Sequence, residues 1–138
     1  MTLLLHGRHA DDFKAVVDIF GPSDLLSFIN SVPEEWKPMM DQWVGNDRDK
    51  EKLIEYSPIT YLETMTKPML VIQGVNDPRV VKAGSDQIVQ ALKDKGRDVE
   101  YMLPENEGHG FSKKENEIAV YQKILSFFTQ FVTSKVEE

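Results

Sequence analysis

Cysteine is absent from the 138 residues, so disulfides, thiolate chemistry and cysteine-ligated metals are excluded. A chain without cysteine suits a reducing compartment, and a cytoplasmic location is expected. Positive charge is scarce: 16 lysines and arginines against 23 acids give a net charge of −7. That balance argues against binding nucleic acid or an anionic membrane surface. No apolar run approaches the roughly 18 residues of a transmembrane helix. Met1-Thr2-Leu3-Leu4-Leu5-His6 lacks the basic start and small-residue cleavage site of a signal peptide. Also missing is any Gly-x-Ser-x-Gly: none of the eight serines (Ser23, Ser27, Ser31, Ser57, Ser85, Ser112, Ser126, Ser134) has that setting.

What is present is an ordinary globular composition, 41% hydrophobic and 28% charged, at the length of one domain able to bury a core. Residues 1–9 read as the tail of a helix, with three leucines followed by His and Arg. Phe13 to Phe20 is rich in β-branched and aromatic residues and ends at Gly21-Pro22, which predicts a buried strand. Ser23 or Asp24 caps a short helix through Ile29, and Pro33-Glu34-Glu35-Trp36 opens another that runs to about Val44. Asp49 to Glu55 is a further short helix, and Ser57 to Leu62 a turn segment. Pro68 to Gln73 is near-continuously apolar, as a parallel strand buried on both faces must be. Gly84 to Lys95 is helical, Val99 to Leu103 is a third strand, and Asn116 to Val132 is a long amphipathic helix. Its stripe of Ile118, Tyr121, Leu125, Phe128 and Val132 is expected to pack on the sheet.

This βαβαβα order predicts an α/β fold with a parallel, three-stranded sheet, and no linker divides the chain. At the end of the second strand stands Gly74-Val75-Asn76-Asp77-Pro78-Arg79-Val80, and after the third, Glu107-Gly108-His109-Gly110-Phe111. His109 follows Asp77 by 32 positions. An acid at one strand end and a histidine at the next is the latter half of a Ser…Asp…His triad in α/β-hydrolase order. A serine hydroxyl becomes nucleophilic when a histidine takes its proton, and the acid orients that histidine. Asp-Pro also forms turns unaided, so Asp77 alone would be weak evidence. Arg79 is expected to pin the acid loop by a salt bridge, and Glu105 and Glu107 to form a solvated face. Trp36, Met39, Met40 and Trp43 are expected in the packing between helices. His6, His9, Asp11 and Asp12 are metal-binding residue types, but two ligands on a terminus fall short of a site. No metal or cofactor is expected.

Taken in order, four segments resemble the C-terminal part of a prolyl oligopeptidase family catalytic domain. Val17-Asp18-Ile19-Phe20-Gly21-Pro22-Ser23-Asp24-Leu25 resembles its sixth-strand segment, and Tyr56-Ser57-Pro58-Ile59 followed by Pro68 to Gly74 the approach to its seventh. Asn76-Asp77-Pro78-Arg79-Val80 is similar to its acid loop and Glu107-Gly108-His109-Gly110-Phe111 to its histidine loop. The resemblance implies a partial α/β-hydrolase fold holding the last three strands of the family sheet. It implies a serine-type peptidase or esterase with Asp77 as orienting acid and His109 as base. Met1-Thr2-Leu3-Leu4-Leu5 resembles the helix after the family's nucleophile elbow, which sets the missing serine about five residues before Met1. On this reading residues 1–138 are one truncated C-terminal subdomain, without nucleophile or oxyanion hole, and inactive alone. The alternatives are a non-catalytic oligomeric or interaction module, or a fragment complemented by a separate N-terminal half. The apolar edge at Val16–Phe20 is expected to pair with a second copy, giving a homodimer.

Overall fold

The computed structural model describes residues 1–80 and 82–132, the side chains of Asp47 and Val132 excepted. Its centre is β2 (Met69–Ile72), every residue of which is buried. β1 (Val16–Ile19) and β3 (Val99–Met102) flank it, both parallel, in the order β1-β2-β3. Val16 pairs with Met69 and Met69 with Val99, and the register runs to Ile19, Ile72 and Met102. Successive side chains point to opposite faces. Met69 and Val71 therefore meet Leu3 of α1 (Thr2–Arg8) and Ile88, Val89 and Leu92 of the helix after β2. Leu70 and Ile72 meet Val120 and Phe127 of the C-terminal helix. Two apolar layers on one strand are why Pro68 to Gln73 carries no alternation.

The first strand is shorter than Phe13 to Phe20 because a 3-10 turn at Ala10–Asp12 leads the chain in, and Phe13 packs beside the core instead. Asp24 caps α2 (Leu25–Ser31), its carboxylate accepting from the Leu26 amide at 3.0 Å. Glu34–Trp36 forms a 3-10 turn that feeds α3 (Lys37–Trp43), and Asp47–Asp49 does the same for α4 (Lys50–Tyr56). The expected turn at Ser57 to Leu62 is a longer 3-10 stretch, Pro58–Thr64. α5 (Lys82–Asp94) and α6 (Lys114–Val132) complete the described residues. No helix among the described residues is long and apolar enough to cross a membrane.

The stripe expected to seat α6 on the sheet does not. Ile118, Tyr121, Leu125 and Phe128 are exposed, while Val120 and Phe127 are buried with Ile124 and Phe131 beside them. The helix is apolar on two faces, and spacing alone cannot tell which one the sheet takes. Lys123 on its flank reaches Glu100 of β3 at 2.8 Å. The exposed stripe lies across the helix from Lys123, so it faces the side of the sheet where β1 is an edge strand. Trp43 also departs from expectation at 72% exposed, whereas Met40 is buried.

Two buried polar groups lie near that free flank. His6 is 1% exposed, with Nε2 accepting from the Lys67 amide at 3.1 Å and Nδ1 unpartnered. Burial, with Lys67 adding to it, lowers its pKa to about 4. Asp18 on β1 is 3% exposed, and its Oδ2 has no partner. Burial raises its pKa to about 6, against the pull of the Gly21 amide. Gly21 has no room for a side chain, because a Cβ there would stand 2.2 Å from Asp18 Oδ1.

A carboxyl whose folded pKa is raised favours the folded state only while protonated, below its unfolded value of 3.8, and loses that support as pH rises through about 6. Asp18 therefore costs on the order of 3 kcal/mol at neutral pH. Asp18→Asn is expected to raise the melting temperature above pH 6, with the gain fading below pH 4. Thermal unfolding followed across that range tests it; a gain independent of pH would contradict the assignment.

Candidate active site

In a parallel sheet the loops leaving the carboxyl ends of the strands gather on one rim. Here the loops after β2 and β3 carry Asp77 and His109, and Phe20 follows β1 on the same rim. Sequence separates Asp77 and His109, but the rim joins them: His109 Nδ1 lies 2.8 Å from Asp77 Oδ2.

Four donors converge on the Asp77 carboxylate. Oδ1 accepts from the amides of Arg79 at 2.8 Å and Val80 at 3.0 Å. Oδ2 accepts from Gln73 Nε2 at 3.2 Å and from His109. Its side chain is wholly buried, and desolvation pushes its pKa up. The Val80 amide, the His109 imidazole and the Arg79 amide outweigh that push, so the carboxyl sits below its ordinary value. It is therefore an anion at neutral pH, and Nδ1 of His109 donates to it. That leaves Nε2, on a side chain 32% exposed, as the nitrogen available for proton transfer.

Gln73 was the residue least legible in advance. It ends an apolar run as the single polar side chain and is completely buried. Besides Asp77, its amide donates to Val80 O at 2.9 Å, while its oxygen accepts from Ser85 Oγ at 3.1 Å. A polar residue closing an otherwise apolar strand was the available signal.

Where acid loop and histidine loop cross, their backbones touch. The Asn76 amide donates to Glu107 O at 3.0 Å, and a Cβ on Gly74 would fall 2.1 Å from Gly108 O. Only glycine fits such an approach. Glu107 does not belong to a solvated face. It is 1% exposed, and its carboxylate accepts from Ser112 N and Oγ, Lys113 N and Asn116 Nδ2, each at 2.9 Å. Asn116 and those amides hold its pKa at about 2. Ser112 and Lys113 immediately precede α6 and Asn116 lies in its first turn, so Glu107 ties the histidine loop to the start of that helix. Glu105 is exposed as expected.

Arg79 makes a different contact from the one expected: its guanidinium lies 5.7 Å from the centre of the Trp36 ring, a cation–π contact. Among the described residues no group of three or more His, Asp and Glu could hold a metal. Several serine hydroxyls are committed elsewhere: Ser23 to Gly84 O, Ser57 to Leu53 O, Ser85 to Gln73 and Ser112 to Glu107. Ser134 lies outside the described residues.

A parallel sheet layered by helices, with these loops on its carboxyl rim, is the architecture of α/β-hydrolase peptidases. The chain superposes on a puromycin-hydrolyzing peptidase of Mycobacterium tuberculosis with a TM-score of 0.87 and 31% identity, over 95% of this chain and 20% of that one. An acylaminoacyl peptidase of Pyrococcus horikoshii shares the fold at a TM-score of 0.85 and 24% identity. In sequence it is 39% identical over 133 residues to dipeptidyl aminopeptidase BIII of Pseudoxanthomonas mexicana, across 92% of this chain and 19% of that protein. It is 37% identical over 125 residues to dipeptidyl peptidase family member 6 of Caenorhabditis elegans, across 86% of this chain and 17% of that protein. The sequence model of the prolyl oligopeptidase family matches residues 1–135, and the chain belongs to that family. It spans about a fifth of the length of these relatives.

Glu107 provides a pH test of the loop. Its folded pKa is depressed, so its support is complete above the ordinary value of 4.5 and is lost as pH falls towards about 2. Glu107→Gln is expected to lower the melting temperature by an amount constant above pH 5 and shrinking below pH 4. An unchanged melting temperature at pH 7 would show that the carboxylate does not hold the loop.

Proposed function

We propose that this chain carries the acid–base half of a serine peptidase site, with His109 as general base and acid and Asp77 as its orienting partner. The 2.8 Å contact between His109 Nδ1 and the anchored Asp77 carboxylate carries the reading. In the reaction, His109 Nε2 takes the proton of a serine hydroxyl as its oxygen attacks a carbonyl carbon, and passes it to the departing amine. Asp77 holds the imidazole in the tautomer that leaves Nε2 unprotonated and stabilises the cation that forms. A water then repeats the cycle on the acyl-enzyme. The serine and the oxyanion-hole amides come from polypeptide outside the 138 residues, since the sequence holds no Gly-x-Ser-x-Gly. Relatives named dipeptidyl aminopeptidase and acylaminoacyl peptidase support peptide amides near a chain's amino end as the substrate class, with simple esters accessible to the same chemistry.

The free flank supports a partner for this half-site. Among the described residues β1 pairs only with β2, Ile19 at its end is 44% exposed, and the exposed α6 stripe faces the same side of the sheet. Beneath runs a cleft of about 190 Å³ lined by Leu5, His6, Phe13, Ala15 and Val17 among others. Edges of this kind are covered in stable proteins. The relatives' greater length favours a complementing segment that carries the nucleophile; a second copy paired at Val16–Phe20, a homodimer, is the other occupant.

The first measurement is labelling by a fluorophosphonate, read as intact mass. The chain alone is expected to give no adduct, because loss of the serine from a triad costs on the order of 10⁶ in turnover. Co-expressed with a family segment ending in the nucleophile elbow, the complex is expected to label once and to hydrolyse dipeptidyl amides, and His109→Ala to abolish hydrolysis. Hydrolysis unaffected by that substitution would overturn the assignment. A chain that is monomeric at micromolar concentration rules out the homodimer.

A further inference from the structure

We propose that Phe20 is a positioning residue for His109, holding the plane of its imidazole; this rests on the reading of His109 as the base. One hydrogen bond fixes Nδ1 but not the ring. The outer torsion of a histidine is broad, and the ring can swing about the bonded nitrogen. Swinging moves Nε2, the atom that must face the nucleophile. A second contact on the ring is required, and Phe20 supplies it: the ring centroids are 5.1 Å apart at an interplanar angle of 41°. Phe111 backs Phe20 at 5.3 Å, so the buttress is itself supported.

The backbone of Phe20 points the same way. Its amide still extends the β1–β2 ladder, donating to Ile72 O at 3.0 Å. Its φ is 58°, in the left-handed region where a bulky side chain is strained and glycine is the ordinary occupant. Had the strand continued, the alternation would put Phe20 on the face of Val16 and Asp18, in the layer of α1 and α5. The left-handed turn instead delivers the ring to the carboxyl rim, against His109. Local conformation favours glycine here, so the contact of the ring is what accounts for phenylalanine.

The test is side-chain nuclear magnetic resonance of His109 in the full chain, labelled with ¹⁵N and ¹³C, at alkaline pH. In the parent chain one set of imidazole signals is expected, displaced by the Phe20 ring current, with the proton on Nδ1. Phe20→Gly relieves the backbone and removes the ring. It is expected to keep the amide spectrum of the sheet and α6 and the proton on Nδ1, while the ring-carbon signals of His109 broaden and the through-space contacts that fix its ring plane are lost. Phe20→Tyr is expected to retain the parent pattern. A His109 ring as sharp and as fixed in orientation in Phe20→Gly as in the parent would overturn the proposal, as would an equal loss of fixed orientation in Phe20→Tyr. If Phe20→Gly does not fold, Phe20→Leu, which keeps bulk without a ring, is read by the same criteria. Asp77→Asn separately disturbs the tautomer with Phe20 in place. None of these readouts needs a nucleophile, so absence of hydrolysis in the complemented form would sink the catalytic reading without touching this one.

Discussion

A carboxylate buried without compensation would be protonated or would unfold its surroundings. Asp77 escapes both outcomes because two loop amides, a strand-end amide side chain and an imidazole all donate to it. The donors come from three parts of the rim: the loop after β2, the end of β2 and the loop after β3. The anion thus organises the loop after β2, anchors the end of β2 itself and sets the direction of the residue from the loop after β3. Truncating the side chain would leave four donors without an acceptor, each with its own desolvation penalty. The rest of the rim follows from this one group: the crossing at Gly74, the Glu107 tether and the turn of Phe20 all serve to bring side chains to it.

Much of this was legible in the residues. A four-residue run that is apolar throughout, Met69 to Ile72, admits few readings other than a strand covered on both sides. Parallel pairing then forces neighbouring loops onto one rim, so Asp77 and His109 could be paired from topology alone. The α6 surface was not legible, because a helix with two apolar faces gives the same spacing whichever face the sheet accepts. Nor was Glu107, since its four donors come from the two residues before α6 and from the first turn of that helix, which begins seven residues later. Composition suggests that a glutamate in a loop is solvated. Only the path of the backbone shows it buried. Phe20 was read as the end of a strand, and nothing in its type announces a positive φ.

The three layers differ in completeness. Around β2 the packing is closed: α5 and α1 on one face, α6 on the other, with Phe127, Leu70, Ile72 and Leu92 almost wholly withdrawn from water. On the β1 flank the molecule keeps an open ladder, an unpartnered nitrogen of His6, an unpartnered oxygen of Asp18 and an apolar helix face. Orphaned polar atoms are uncommon in native interiors. Two of the three such side-chain atoms among the described residues lie beside this strand, and with the exposed leucine, isoleucine and tyrosine they distinguish this flank from an ordinary surface.

Glu107 joins a loop to a helix through side-chain oxygens instead of through the chain direction, and this sets what can be transplanted. A histidine loop moved into another scaffold without the serine and asparagine that follow it would arrive with a bare acid and a frayed helix start. The segment from Gly74's crossing partner Gly108 through Asn116 is not self-sufficient either, because its geometry is keyed to a glycine in the loop after a different strand. The smallest exchangeable cassette is therefore discontinuous: Gln73 to Val80 on one side and Glu107 to Asn116 on the other, inherited together or not at all.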